Sequence, residues 1–97
     1  MIIAELSIVP LATPTTSVSK YVKTVLSTLR QEKNLIIYPN AMATVLEAPD
    51  LQTLFAAVEK AHNAVLATGA KRVITQLKID DRRDKKATVE TKLKAIE

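Results

Sequence analysis

The chain contains no cysteine and no tryptophan, one glycine (Gly69) and three aromatic residues, Tyr21, Tyr38 and Phe55. Each shortage excludes something. Without cysteine there is no disulfide framework and no thiolate chemistry, which fits a reducing compartment. A lone glycine leaves no room for a P-loop or a glycine-rich dinucleotide turn. With so few aromatics, the core must be built from aliphatic side chains. No apolar stretch approaches the ~18 residues that a membrane helix needs. The first residues, Met1 to Glu5, carry no basic segment ahead of an apolar one, and Glu5 interrupts the run. The expectation is a soluble, cytoplasmic protein.

What is present is ordinary for a globular domain. Ninety-seven residues, 47% of them hydrophobic and 25% charged, make one domain spanning residues 1–97. A chain of this length buries roughly 60–65% of the surface it exposes when unfolded. The net charge of +4 raises nucleic acid as a partner. The basic residues, however, are dispersed among acids along the chain, and nucleic acid is not the expected partner.

Alternation of Ala4, Leu6 and Ile8 with Ile3, Glu5, Ser7 and Val9 predicts a strand over Ile2 to Val9, ended by Pro10. Ser17 is a natural N-cap for a helix carrying Val18, Val22, Val25, Leu26 and Leu29, expected to stop near Asn34. Short strands follow at Leu35 to Tyr38 and Met42 to Ala48. Asp50 caps a second helix with a buried stripe of Leu51, Leu54, Phe55, Val58, Ala61 and Val65, and Gly69 stands where its C′ residue belongs. Arg72 to Asp80 reads as the last strand. Asp84 is the expected cap of a third helix bearing Val89, Leu93 and Ile96.

The order βαββαβ with a C-terminal helix predicts an α+β, ferredoxin-like sandwich: one antiparallel sheet with two helices on one face. The other face then carries Glu5, Ser7, Val9, Thr44, Leu46, Ile74, Gln76 and Lys78 if alternation holds. That mixture is too apolar for solvent and too polar for a core. An oligomer that stacks sheets, with ligand or ion pairs in the seam, resolves the conflict.

Nothing in the chain spells catalysis. His62, the only histidine, has no triad partner in view and is expected to make a helix-flank hydrogen bond. Asp80-Asp81-Arg82-Arg83-Asp84 reads D-D-x-x-D, a magnesium motif of prenyl-diphosphate chemistry. Here it follows a strand, lacks a second acidic motif, and contains arginines that compete for the carboxylates. A salt-bridged turn is the expected reading, with no metal and no cofactor. An RNA-recognition role would require aromatics on the two central strands, and those strands have none.

Four stretches together resemble the thiamine-binding-protein family of small ferredoxin-like proteins, long catalogued as uncharacterised. They are Ala4 to Leu11, Ser17 to Val22, Met42 to Glu47, and Gly69 to Thr75 continuing through Lys78 to Lys85. His62 falls where the family has a helix-2 histidine. Ala12, Ala43 and Ala48 stand where the family usually has glycine, and a methyl at Ala43 could narrow a pocket. The resemblance implies a homo-oligomer, commonly a tetramer built as a dimer of dimers, that binds thiamine or a related hydroxymethylpyrimidine without catalysis. Expected ligand residues are Glu5, Ser7, Thr44 and Glu47 with Met42 as an apolar wall. Lys78 lies in the same seam, and Ser17 and Ser19 stand at the first helix's N-terminus for a phosphate ester. The alternative functions are a regulatory or scaffolding oligomer without a pocket and an RNA-binding ferredoxin-like protein.

Overall fold

The computed structural model describes all 97 residues. Its elements are β1 (Ile2–Pro10), α1 (Ser19–Leu29), β2 (Ile36–Pro39), β3 (Thr44–Ala48), α2 (Leu51–Ala67), β4 (Val73–Asp80) and α3 (Val89–Lys94). The four strands form one antiparallel sheet in the order β2-β3-β1-β4, with α1 and α2 packed together over one face. The predicted α+β, ferredoxin-like sandwich is the observed fold. No helix is long and apolar enough to cross a membrane.

β1 organises the sheet because it pairs on both edges. Ile2, Ala4, Leu6 and Ile8 turn inward and are buried against Val25 and Leu29 of α1 and Leu54, Val58, Ala61 and Val65 of α2. Ile3, Glu5, Ser7 and Val9 point to the open face by strict alternation. α2 is rich in alanine, the strongest helix former, and Ala57 and Ala61 are buried on its core side. Its ends match the sequence signals: Asp50 accepts a 2.7 Å hydrogen bond from the Thr53 amide. Gly69, with φ of 104°, follows the C-cap Thr68 in a conformation that side chains resist.

Several expectations require correction. Thr44 and Leu46 lie on the helix-covered face, because the register sets Thr44 opposite Leu6 and Leu46 opposite Ala4. The strand starts at Thr44, and Val45 and Glu47 take the open face in their place. Phe55 is 50% exposed, since the core side of α2 passes through Leu54, Ala57 and Val58 instead. Ser17 does not cap α1: Val18 holds the N-cap position without a side-chain bond, while the Ser17 and Ser19 hydroxyls bond each other at 2.8 Å. α1 ends at Leu29, five residues before Asn34, in tight turns from Gln31 to Thr28 and Glu32 to Leu29. Asp84 does not cap α3. Thr88 does, in a reciprocal capping box with Thr91.

Pro10 does not end β1 either. It pairs with Val73, and the Leu11 amide donates to the Arg72 carbonyl at 2.9 Å, so the ladder to β4 runs past the proline. The chain turns at Ala12, whose φ of 57° is left-handed. Here the glycine usual in the resembling family has a physical reason. An L-residue in this region costs roughly 1–2 kcal/mol, against the roughly 0.5–1 kcal/mol of extra chain entropy that glycine loses on folding. Ala12→Gly should therefore stabilise the fold by about 0.5–1 kcal/mol, raising Tm by about 2–8 °C in calorimetry.

Candidate functional site

β1 outruns its neighbour. Pairing with β3 stops at Leu6 opposite Thr44, whereas pairing with β4 continues to Pro10 opposite Val73. The far end of β1 thus has one free edge, and the β2–β3 turn and the beginning of α1 converge beside it. Between them lies a cleft of about 160 Å³. Its walls are Leu6 to Val9 of β1, Val18, Val22 and Val25 of the first helical segment, Asn40 to Ala43 of the turn, and Thr44. The turn is held closed by a 3.0 Å bond from the Asn40 amide to the Ala43 carbonyl.

The chemistry of this cleft is simple. No charged side chain lines it. Its polar side chains are Thr44 and Asn40; Ser7 borders it along the free edge of β1, with its side chain turned to the open face. Thr44 is only 8% exposed, and its hydroxyl makes no hydrogen bond to the rest of the chain. No buried side-chain polar atom of the chain lacks a partner, so the Thr44 hydroxyl opens to the cleft, where it can donate to or accept from a ligand or solvent. Met42 is 92% exposed and edges the mouth as a flexible thioether. Ala43 contributes to the wall, so its methyl does take up space in the cleft, while its backbone lies outside the left-handed region.

The expected ligand residues divide into separate groups. Ser7, Met42 and Thr44 come together at the cleft. Glu5 and Lys78 are elsewhere, opposite one another in the β1–β4 register on the open face, and they form no ion pair. Ser17 and Ser19 are exposed and satisfy each other ahead of α1. Glu47 is on the open face but only 3% exposed, because the C-terminal segment covers it. Its Oε1 accepts from the Val89 amide, the first residue of α3. The carboxylate thus complements a helix N-terminus and anchors α3 to the sheet. Sequence reasoning passed over Val18, Val22 and Asn40 as cleft residues. The available signal was two valines one turn apart at the start of α1, both left largely exposed.

His62 behaves as expected: its Nδ1 lies 2.6 Å from the Thr75 hydroxyl, joining α2 to β4. The acidic turn is also a salt-bridged one. Arg82 grips Asp84 through two bonds of 2.6 and 2.8 Å, and Arg83 grips Asp81 through two of 2.8 and 2.7 Å. Asp80 is paired with Lys92 of α3. These partners lie where a cation would otherwise have to bind. The Arg82 guanidinium holds the Asp84 carboxyl down at about 2, and Arg83 lowers that of Asp81. Hydrogen bonding from the Thr53 amide lowers that of Asp50.

Comparison with known proteins adds the family. The model of the thiamine-binding protein family matches residues 4–97. The chain belongs to this family. A UPF0045 protein of Methanothermobacter thermautotrophicus is 45% identical over 96 residues, covering 99% of this chain and 96% of that one. The UPF0045 protein YqgV of Bacillus subtilis is 40% identical over 98 residues, covering 99% and 94%. Among solved structures, a hypothetical protein of Methanocaldococcus jannaschii superposes with a TM-score of 0.89 at 46% identity, covering 98% of this chain and 94% of that one. A Thermotoga maritima protein named for thiamine biosynthesis/salvage shares the fold, with a TM-score of 0.79 at 17% identity and coverage of 99% and 98%. In this member of the thiamine-binding protein family, the cleft beside Thr44 is a concave, mostly apolar surface with no charged residue in its lining.

Two measurements follow from these contacts. The folded carboxyls of Asp50, Asp81 and Asp84 titrate below their unfolded values, so the stability they contribute is complete above about pH 4. It is lost as pH falls through the folded values, down to about 2 for Asp84. Tm should drop across that window, and less steeply in an Asp81→Asn, Asp84→Asn variant. The second concerns Glu47. Glu47→Leu removes a charge-assisted acceptor worth about 1.5–3 kcal/mol. Amide hydrogen exchange at Val89 should accelerate, while amides of β1 and α2 keep their protection.

Proposed function

We propose that this protein is a non-enzymatic binding module for an aminopyrimidine, either a hydroxymethylpyrimidine or thiamine held by its pyrimidine ring. The observation that carries the reading is an uncharged apolar cleft into which the Thr44 hydroxyl opens. A planar heteroaromatic ring wants apolar contact on its faces and a few hydrogen bonds at its edge. Val18, Val22 and Leu6 offer the first; Thr44 and Asn40 offer the second. The family adds support, because it is named for thiamine binding.

Size and charge narrow the ligand. The cleft's 160 Å³ is about half the lower end of the roughly 300–1,000 Å³ usual for drug-sized ligands. It has room for one ring. Nothing in its lining neutralises a cation, so the thiazolium of thiamine would remain at the mouth beside Met42. Of the residues expected from the sequence, Met42 and Thr44 keep a ligand role in this proposal, while Ser7 borders the cleft with its side chain on the open face. Glu5, Glu47, Lys78, Ser17 and Ser19 keep none.

The reading includes a homo-oligomer, a tetramer built as a dimer of dimers, in a cytosolic setting suited to a chain without cysteine. Support for assembly comes from two exposed apolar regions. One is the open sheet face with Val9, Ile36 and Ile74; the other is the outer side of α2 with Phe55 and Leu66. A dimer of dimers with closed symmetry uses two such self-complementary patches.

Thermal shift and calorimetric titration test the ligand. The free hydroxymethylpyrimidine should stabilise the protein by about 2.7 kcal/mol at 100 times Kd, and thiamine and its phosphates should bind no more tightly. Thr44→Val keeps the shape and removes the hydroxyl; it should weaken binding about 2- to 12-fold, the value of one neutral hydrogen bond. Ala43→Leu should abolish it, and Glu5→Gln should leave it unchanged. No stabilisation by any of these compounds would overturn the proposal in favour of a scaffolding oligomer without a ligand.

A further inference from the structure

Four bases that are scattered in the sequence meet at one groove. Arg82 stands just past the end of β4, Lys85 and Lys86 on the segment that follows, and Lys92 on α3. They line a groove of about 160 Å³ whose remaining wall is small, with the buried Ala87 and with Ala95 at the end of α3. Elsewhere, charged hollows mix the two signs. Asp50 and Asp81 stand with Arg82 and Arg83 at the start of α2, and Glu5 stands with Lys78 on the open face. No carboxylate lines the groove below α3.

Its charge is only partly compensated. Arg82 is held by Asp84 and Lys92 by Asp80, both from outside the lining. Lys85 and Lys86 are exposed and form no ion pair. Arg82 commits its Nε and one terminal nitrogen to Asp84, which leaves the other terminal nitrogen free to donate. Four cations against two carboxylates leave an excess of two positive charges. A concave surface lined by one sign of charge concentrates counter-ions.

We infer that this groove binds the dianionic phosphoryl group of a small phosphate monoester, separately from the cleft beside Thr44. A carboxylate ligand neutralises one charge. A phosphoryl group carries about −1.5 to −2 at pH 7 and offers three acceptor oxygens. Donors come from three elements: Lys85 and Lys86 from the loop, Arg82 from the end of the sheet, and Lys92 from the helix. Apart from Ala87 the lining is exposed, so the organic part of the ester projects into solvent and the phosphoryl group alone is recognised. A nucleic-acid backbone fits less well. Asp81, Asp84 and Glu90 belong to the same segment and interrupt the continuous stripe of bases that successive phosphates need.

The two sites lie toward opposite ends of β1. The cleft follows Leu6 to Val9, whereas Asp80, which precedes the groove, is opposite Ile3. Ile3 and Val9 are about 20 Å apart along an extended strand. The phosphate ligand is therefore a different molecule from the aminopyrimidine of the cleft, and neither reading depends on the other.

Titration of the isotope-labelled protein with inorganic phosphate, followed by amide chemical shifts at constant ionic strength, tests the groove residue by residue. The shifts should saturate at one phosphate per chain and concentrate at Lys85 to Ala87 and Thr91 to Ala95, leaving Thr44 unmoved. A Lys85→Gln, Lys86→Gln variant should bind at least about 10-fold more weakly, through the loss of charge-assisted hydrogen bonds. Ala95→Glu, which sets a carboxylate in the groove, should abolish binding. All three positions are exposed, and far-UV dichroism checks that the fold is kept. A Lys60→Gln, Lys71→Gln variant, lacking two exposed lysines elsewhere, should bind like the parent, and so should Thr44→Val. Glycerol phosphate should match inorganic phosphate, and acetate should bind more weakly. Shifts that do not saturate, or that weaken equally in the two lysine variants, would overturn the proposal in favour of diffuse surface charge. Binding of a single-stranded RNA oligonucleotide without binding of either phosphate probe would overturn it in favour of a polyanion surface. Failure of every aminopyrimidine to bind would leave it standing.

Discussion

The double pairing of β1 is the constraint on which the rest of the structure depends. A strand hydrogen-bonded on both edges cannot shift by one residue without inverting every side chain. Ile2, Ala4, Leu6 and Ile8 bury their side chains beneath two helices, which holds the register. Glu5, Ser7 and Val9 are consequently committed to the opposite face. The same register decides which residues of β3 and β4 accompany them. The core, the open face and the cleft all inherit their composition from that one strand.

The cleft is a by-product of unequal strand lengths. β3 has five residues and β1 has nine, so one end of β1 loses its neighbour on that side. The backbone there is sheltered by the β2–β3 turn and by Val18 and Val22 instead of by a paired strand. Thr44 sits at this boundary as the last β3 residue opposite β1, which explains why the residue is mostly covered while its hydroxyl opens to the cleft. The carboxylates of the chain are spent elsewhere. Glu47 holds α3, and Asp80, Asp81 and Asp84 are matched with Lys92, Arg83 and Arg82. An uncharged cleft in a chain with ten acidic residues is the outcome of those commitments.

Much of this was legible before any coordinates. The order of elements, the Asp50 cap, the Gly69 terminus, the His62 flank bond and the salt-bridged turn all follow from local rules. Apart from the His62 bond, whose partner Thr75 is 13 residues away, each involves residues within a few positions of one another, or a single residue type with one conformational preference. The errors were of another kind. Thr44 and Leu46 take the covered face against expectation because their parity is set by the register with β1, Thr44 opposite Leu6 and Leu46 opposite Ala4, and a short strand's own composition does not anchor it. Phe55 was counted as core because it falls beside Leu54 in an apolar stripe, and the stripe's centre depends on where α1 docks. Asp84 cannot cap α3, because Arg82 holds its carboxylate and the helix begins only at Val89, behind Thr88.

The sequence by itself determined the alternation of β1, the amphipathic helices and hence the ferredoxin-like sandwich. Those features arise from backbone periodicity and helix-end chemistry, which are properties of contiguous residues. Only the tertiary structure decided that Met42 and Thr44 share a cleft while Glu5, Ser7 and Lys78 turn their side chains to the other side of the sheet. It alone assigned Glu47 to α3, a partner 42 residues away in the chain. Such assignments depend on register and on competition between distant groups for the same hydrogen bond. Neither is written in any stretch short enough to read on its own.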